Sequence, residues 1–141
     1  MNSADRLTWL YVESSAVLEW LLAQPEADAV QRELARAQHL VSSQLTVLEC
    51  ARALARTAGQ QQAGAQMALR ALTATLDLAP VDLSLMDSLA RPFAVEPVRT
   101  LDAIHLATAV QLREPSDLVG FLTLDARVRV NAAALGFQVR P

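Results

Sequence analysis

Short apolar runs alternate with longer amphipathic segments along the chain, and this alternation limits the folds open to it. Runs such as Leu7–Val12 and Leu118–Leu124 have the length of buried strands, whereas Thr100–Leu112 has helical spacing. Strands that alternate with helices form βαβ units, whose strands run parallel within one sheet. The sequence therefore predicts an α/β fold with a mainly parallel central sheet of four or five strands.

The predicted elements follow one another without repeats or linkers, so we treat residues 1–141 as one domain. The predicted strands are Leu7–Val12, His39–Ser42, Leu78–Val81, Leu118–Leu124 and Phe137–Arg140. The predicted helices are Ser14–Leu22, Glu26–Gln38, Leu45–Thr57, Gln61–Leu76, Ser84–Ala94, Thr100–Leu112 and Asp125–Leu135.

The basic residues exclude several classes of enzyme. All 12 are arginine, so mechanisms that need an active-site lysine, such as those of P-loop NTPases and haloacid-dehalogenase-like phosphatases, are not available. The net charge of −3 argues against a protein that coats nucleic acid unaided, but not against a nuclease that uses metal ions.

We expect a cytoplasmic protein, because no apolar stretch approaches the ~20 residues of a membrane span and the single Cys50 allows no internal disulfide.

Two acidic residues follow predicted strands. Glu13 comes directly after the first strand, and Asp125 ends the apolar run FLTL. The carboxyl ends of parallel strands are where open α/β sheets bind ligands. Both residues also precede predicted helices, where an acid is favoured by the helix dipole or as an N-cap. From these residues alone, a functional and a helix-capping role remain open for each.

Glu49 lies on the predicted helix Leu45–Thr57. It shares one face of that helix with Leu48 and Arg52. A solvated face with a Glu49–Arg52 ion pair is one interpretation. A carboxylate directed into a functional site is the other, because apolar leucines on the same face indicate partial burial.

Asp102 lies on a predicted helix that is apolar nearly all round, which indicates burial. A buried carboxylate has to be paired, hydrogen-bonded or bound to metal. The alternative is a first-turn acid that follows an N-cap at Thr100. His105, three residues further on, has the spacing to share a metal, although a buried, hydrogen-bonded core histidine is the more common case.

These carboxylates have a common chemistry if the fold brings them together. Glu13 and Asp125 become neighbours at a switch point of the sheet if the first strand lies beside the strand that ends at Leu124. Carboxylates that converge repel one another unless a cation neutralises them. Hard oxygen ligands select Mg²⁺ or Mn²⁺ over zinc.

Segments over essentially the whole chain resemble the PIN domain family and, within it, the VapC-type toxins of bacterial toxin–antitoxin pairs. LDAIHLATAV (Leu101–Val110) matches the segment around that family's third acid. FLTLDARVRVNAAALGFQV matches its closing strand, acid, helix, glycine and strand, with Thr123 two residues before Asp125. SSQLTVLECARAL resembles the helix with the second acid, here Glu49, and YVESSAVLEWLL resembles the opening motif, in which Glu13 replaces the usual aspartate.

The resemblance implies a three-layer α/β/α PIN-like domain that hydrolyses RNA with one or two Mg²⁺ or Mn²⁺ ions. It implies that the catalytic and metal-binding residues are Glu13, Glu49, Asp102 and Asp125. Ser14 and Thr123 flank that site, where they either position water or phosphate or act only as helix-capping and strand-end hydroxyls. Arg52 either binds substrate phosphate or is an ordinary solvated surface arginine. The resemblance further implies a homodimer and a cognate antitoxin as protein partners.

One departure from the family leaves an alternative open. Glutamate at position 13 reaches about one methylene further than aspartate, and Mg²⁺ demands near-ideal octahedral geometry. The alternative is a catalytically weak or inactive PIN-like module that acts by binding RNA or protein. Because a carboxylate is retained at Glu13, we favour the active enzyme.

Overall fold

A computed structural model describes residues 8–57, 59, 61–82, 84, 87, 95–116 and 120–141. Its strands are β1 (Trp9–Val12), β2 (His39–Ser43), β3 (Leu76–Ala79), β4 (Gly120–Leu122) and β5 (Gln138–Arg140). Its helices are α1 (Ser14–Leu21), α2 (Ala27–Arg36), α3 (Gln44–Ala55), α4 (Gln61–Thr73), α5 (Thr100–Ser116) and α6 (Ala126–Ala134). None of these helices is both long enough and apolar enough to cross a membrane.

The strands form one parallel sheet in the order β3-β2-β1-β4-β5. From β1 the chain adds β2 and β3 on one side, and then returns to add β4 and β5 on the other side. The switch point therefore lies between β1 and β4, where Val12 is in register with Leu122. This confirms the predicted parallel sheet. It also meets the condition, left open by the sequence, that the first strand lies beside the strand that leads to Asp125.

Alternate side chains of the central strands enter two separate cores, one on each face of the sheet. Leu10 and Val12 of β1 pack in a cluster that draws its other members from α1–α4, β3 and β4. Tyr11, between them, packs on the opposite face with residues of α5 and α6, including Leu106 and Val128. The predicted three-layer α/β/α arrangement is therefore confirmed.

One predicted strand is displaced. The strand expected at Leu78–Val81 lies at Leu76–Ala79, because α4 ends at Thr73 rather than continuing to Leu76. The hydroxyl (2.7 Å) and the backbone amide (2.8 Å) of Thr75 both donate to the carbonyl of Leu72 at the helix end. Most of the predicted helix at Ser84–Ala94 lies outside the described residues.

We expect Leu10→Ala to lower the free energy of unfolding by about 2–5 kcal/mol, because it leaves a cavity in the core beneath α1. Urea denaturation followed by circular dichroism measures this. Leu48→Ala is the matched control, since Leu48 is 57% exposed and the same truncation there should cost less than about 1 kcal/mol. Equal losses for the two variants would contradict the assignment of the core.

Candidate active site

Glu13 is a buried carboxylate held by hydroxyl groups. It follows β1 directly, and its amide donates to the carbonyl of Leu122 on the neighbouring strand (3.0 Å). Only 3% of the residue is exposed. Ser14 Oγ donates to Oε1 (2.7 Å), while Thr123 Oγ1 (2.9 Å) and Ser15 Oγ donate to Oε2. Although Glu13 is the N-cap residue of α1, its side chain makes no capping bond, so the hydroxyls hold it instead.

The same hydroxyls fix the loop after β4. Thr123 Oγ1 accepts a hydrogen bond from the amide of Asp125 (3.1 Å), and Ser15 Oγ accepts one from the amide of Leu124 (2.9 Å). The start of α1 and the segment that precedes α6 are thereby joined across the switch point. Glu13 and Asp125 are brought to the same end of the sheet, as predicted.

Asp125 has two roles, one for each carboxylate oxygen. Oδ1 accepts hydrogen bonds from the amides of Arg127 (2.9 Å) and Val128 (3.1 Å), so the residue is the N-cap of α6. Oδ2 lies 3.5 Å from Nη2 of Arg99. The helix-capping interpretation is therefore confirmed, and it leaves the second oxygen directed at another charged group.

Asp102 lies in the first turn of α5 and is only 6% exposed. Its Oδ2 accepts hydrogen bonds from Nε (3.2 Å) and from the backbone amide (3.3 Å) of Arg99. The hydrogen bond and the charge of Asp102, followed by the charges of Asp125 and Glu13, raise the pKa of Arg99 above its ordinary value. Asp102 is therefore a first-turn acid and also a buried carboxylate with a charged partner, but Thr100 is the first residue of α5 and not its N-cap.

Arg99 was not among the residues singled out in the sequence. Its guanidinium joins Asp102 and Asp125, which are far apart in the chain. The sequence feature that could have pointed to Arg99 is its position three residues before Asp102, an acid expected to be buried. That spacing also occurs in many surface ion pairs, so it does not distinguish such an arginine from others.

Glu49 ends a buried chain of hydrogen bonds. Nε2 of His105 lies 2.6 Å from Glu49 Oε1, and Nδ1 of the same ring lies 2.7 Å from the hydroxyl of Tyr11. Burial, and then the charges of Glu13 and Glu49, raise the pKa of Tyr11 well above its ordinary value, so its hydroxyl keeps its proton. The hydroxyl can then donate to Nδ1, which leaves Nε2–H to donate to Glu49.

Two open alternatives are resolved by this hydrogen-bonded chain. His105 is fully buried and hydrogen-bonded at both ring nitrogens, which is the core role judged more common. Among the described residues, Glu49 pairs with His105 and not with Arg52. Glu49 is therefore part of the buried polar chain rather than of a purely solvated helix face.

The four acids surround one edge of the sheet, but they do not form a single compact cluster. Burial, and then the charges of Glu49 and Glu13, raise the pKa of Cys50 to about 12. Glu49, Arg99 and Asp102 line one cavity, whereas Arg99 and Asp125 line a second. Within the described ranges, no three His, Cys, Asp or Glu side chains are grouped closely enough to hold a metal ion as they stand.

The chemistry of the donors nevertheless fits a divalent cation. All four predicted residues offer carboxylate oxygens, the ligands preferred by Mg²⁺ and Mn²⁺. A positive charge, that of Arg99, already lies against Asp102 and Asp125. These two carboxylates therefore lie where one cation can neutralise both.

Comparison with known proteins decides the family. The model of the PIN domain matches residues 10–133. The chain belongs to the PIN domain family. It is 40% identical over 130 residues to ribonuclease VapC46 of Mycobacterium tuberculosis, with 92% of this chain and 95% of the relative covered. It is 30% identical over 132 residues to ribonuclease VapC35 of the same species, with 92% of this chain and 94% of the relative covered.

Solved structures share the PIN fold of this chain. The crystal structure of VapC20 of Mycobacterium tuberculosis, a Sarcin-Ricin loop cleaving toxin, superposes with a TM-score of 0.67 at 19% identity and covers 94% of this chain and 99% of that one. VapBC2 from Rickettsia felis, bound to a DNA fragment from its promoter, gives a TM-score of 0.67 at 8% identity. The superposition covers 94% of this chain and 98% of that one. At these identities the likeness concerns the fold alone.

We expect Tyr11→Phe to lower the free energy of unfolding by about 1–3 kcal/mol, because it leaves the buried Nδ1 of His105 without a partner. Chemical denaturation measures the loss. Thr108→Val is the control. It removes a buried hydroxyl that, among the described residues, bonds to the helical carbonyl of Ile104, and it should cost less than about 1 kcal/mol. A Tyr11→Phe protein as stable as the parent would contradict the hydrogen-bonded chain.

Proposed function

We propose that this PIN domain is a metal-dependent endoribonuclease that hydrolyses RNA phosphodiester bonds, and that it is the toxin of a toxin–antitoxin pair. The similarity to proteins named ribonucleases over more than nine-tenths of the chain supports the substrate class. The observation that carries the proposal is structural. Asp102 and Asp125, from different elements, both face the guanidinium of Arg99 at the carboxyl edge of the parallel sheet.

Mg²⁺ or Mn²⁺ is the proposed cofactor. We assign Glu13, Asp102 and Asp125 to its coordination, and Glu49 to coordination directly or through water. When bound, such an ion lowers the pKa of its water and offsets charge that develops on the phosphoryl oxygens.

The protein groups around the acids restrict how each carboxylate can turn. Ser14 and Thr123 donate to different oxygens of Glu13 and so fix its plane. His105 holds Glu49 by one oxygen. Asp125 is held through Oδ1 by the first turn of α6, which leaves Oδ2 facing the site. Carboxylates held in this way lose little freedom when they bind a cation or position a water molecule.

A groove beside Glu49 supports RNA as the substrate. It is lined by Leu18, Leu45, Leu48, Glu49, Arg52, Ala53, Arg56 and Leu101. The exposed Arg52 and Arg56 follow Glu49 on α3 by about one and two helical turns. They can bind phosphates that flank the cleaved bond, while the exposed apolar surface of Leu48 and Leu101 can contact bases.

We also propose a cognate antitoxin and a second copy of the chain as partners, with action in the cytoplasm, where such toxins meet RNA. The structural likeness to a VapBC protein is consistent with an antitoxin partner. Co-expression with a candidate antitoxin, followed by size-exclusion chromatography with light scattering, distinguishes a monomer, a dimer and a complex.

We expect Asp102→Asn to reduce cleavage of single-stranded RNA at least about 100-fold and to remove most of the Mn²⁺-dependent rise in melting temperature, because it deletes a ligand charge with little change in shape. Asp77→Asn makes the same chemical change on an exposed position of β3 and should leave both measurements unchanged.

The non-catalytic alternative makes the opposite prediction. A PIN-like binding module would retain its RNA affinity in EDTA and would show no cleavage with any divalent ion. Turnover by the parent that disappears in EDTA and in Asp102→Asn, but not in Asp77→Asn, excludes that module. Cleavage by Asp102→Asn at the rate of the parent would contradict the proposed metal site.

We expect the double variant Arg52→Gln, Arg56→Gln to raise KM for RNA about 5- to 30-fold with kcat within about threefold, because the two arginines bind phosphates away from the reacting one. The dependence of KM on salt should also weaken, since fewer counterions are released on binding. Arg70→Gln on α4, which lines a different groove, is the control. A fall in kcat with unchanged KM would place the arginines at the reaction centre instead.

A further inference from the structure

Arg99 occupies an unusual position among the charged residues. It directly precedes α5, and its side chain is 75% exposed although one of its two partners, Asp102, is 8% exposed. Its Nε bonds to Asp102, while Nη2 faces Asp125 at 3.5 Å. It also lines both cavities that open at the acids. The guanidinium therefore lies between the two carboxylates and solvent.

We propose that Arg99 is a built-in counter-cation that competes with the divalent ion for Asp102 and Asp125, and that binds substrate phosphate once the ion displaces it. This inference rests on the proposed function. It assigns to one residue two successive partners of the same charge, first carboxylate and then phosphate.

Competition follows from the atoms involved. Arg99 uses Oδ2 of Asp102 and faces Oδ2 of Asp125. Because Oδ1 of Asp125 is engaged as the N-cap of α6, Oδ2 is the oxygen free to face a cation. A divalent ion on these oxygens repels a guanidinium at short range and offsets the carboxylate charge that held it. The ion and the arginine therefore exclude one another.

Displacement is easy because the side chain is largely in water. An exposed ion pair contributes little, so its loss on metal binding is a small penalty. The backbone of Arg99 remains fixed next to α5, where its amide donates to Asp102. The released guanidinium thus stays within one side-chain length of the acids, and its planar fork matches the oxygens of a phosphate.

The first test measures metal binding without RNA. Mn²⁺ is titrated calorimetrically into the parent, Arg99→Gln and Arg127→Gln. We expect Arg99→Gln to bind Mn²⁺ about 3- to 10-fold more tightly than the parent. Arg127 also lines the Asp125 cavity, but its side chain makes no ion pair with the described acids, so Arg127→Gln should change the affinity less than about twofold. It controls for a general change in charge.

The second test measures cleavage of single-stranded RNA at saturating Mn²⁺. We expect Arg99→Gln to raise KM about 5- to 20-fold, and Arg99→Lys to restore part of the loss because it keeps the charge without the fork. A variant that binds metal more tightly and RNA more weakly shows both roles, since a purely structural defect would weaken both. Melting curves without metal verify that the exposed substitution leaves the fold intact.

The outcomes separate this inference from the proposed function. If the parent binds Mn²⁺ and cleaves RNA, but Arg99→Gln binds Mn²⁺ no more tightly, the competition is disproved while the nuclease stands. If the Mn²⁺ affinity rises but KM is unchanged, the phosphate role is disproved. If the parent neither binds Mn²⁺ nor cleaves RNA, the proposed function fails and this inference fails with it.

Discussion

The parallel pairing of β1 with β4 is the contact on which the site depends. The two strands are joined at the switch point of the sheet, with Val12 in register with Leu122. Each strand ends at the same edge, so the next residues, Glu13 and Thr123, meet within hydrogen-bond distance although they are 110 positions apart in the chain. A change of register by one residue would turn the core side chains of β1 to the opposite face and would separate these groups. The packing of the two cores and the position of the acids are thus fixed by the same contact.

The four acids in this region are satisfied by three kinds of partner. Glu13 has hydroxyls, Glu49 has an imidazole, and Asp102 and Asp125 share a guanidinium. A buried carboxylate without such partners would cost several kcal/mol or would become protonated. These partners therefore satisfy the buried carboxylate oxygens within the folded domain itself. The hydroxyls and the imidazole can stay in place when the ion binds, whereas the guanidinium carries a like charge and has to leave.

The sequence was sufficient for features that depend on local pattern. The alternation of apolar runs with helical spacing predicted the parallel sheet, and the apolar surroundings of Asp102 predicted its burial. Partners that are distant in the chain were not predictable, because nothing in the pattern near Glu49 indicates a histidine 56 residues away. The two-residue displacement of β3 has a similar cause, since Leu76 fits both a helical stripe and an edge strand. Tertiary pairing with Leu40 of β2 decides between them.

The extra methylene of Glu13 is best understood together with the residues around it. A shorter aspartate would hold its carboxylate about 1.5 Å closer to the backbone of β1. Here the longer side chain carries the carboxylate to Thr123, the residue that follows the neighbouring strand, while Ser14 and Ser15 hold it from the side of α1. Three hydroxyls around one side chain restrict the added rotational freedom that a glutamate brings. The longer side chain of Glu13 is therefore held in one orientation at the edge of the sheet where we propose that a cation binds.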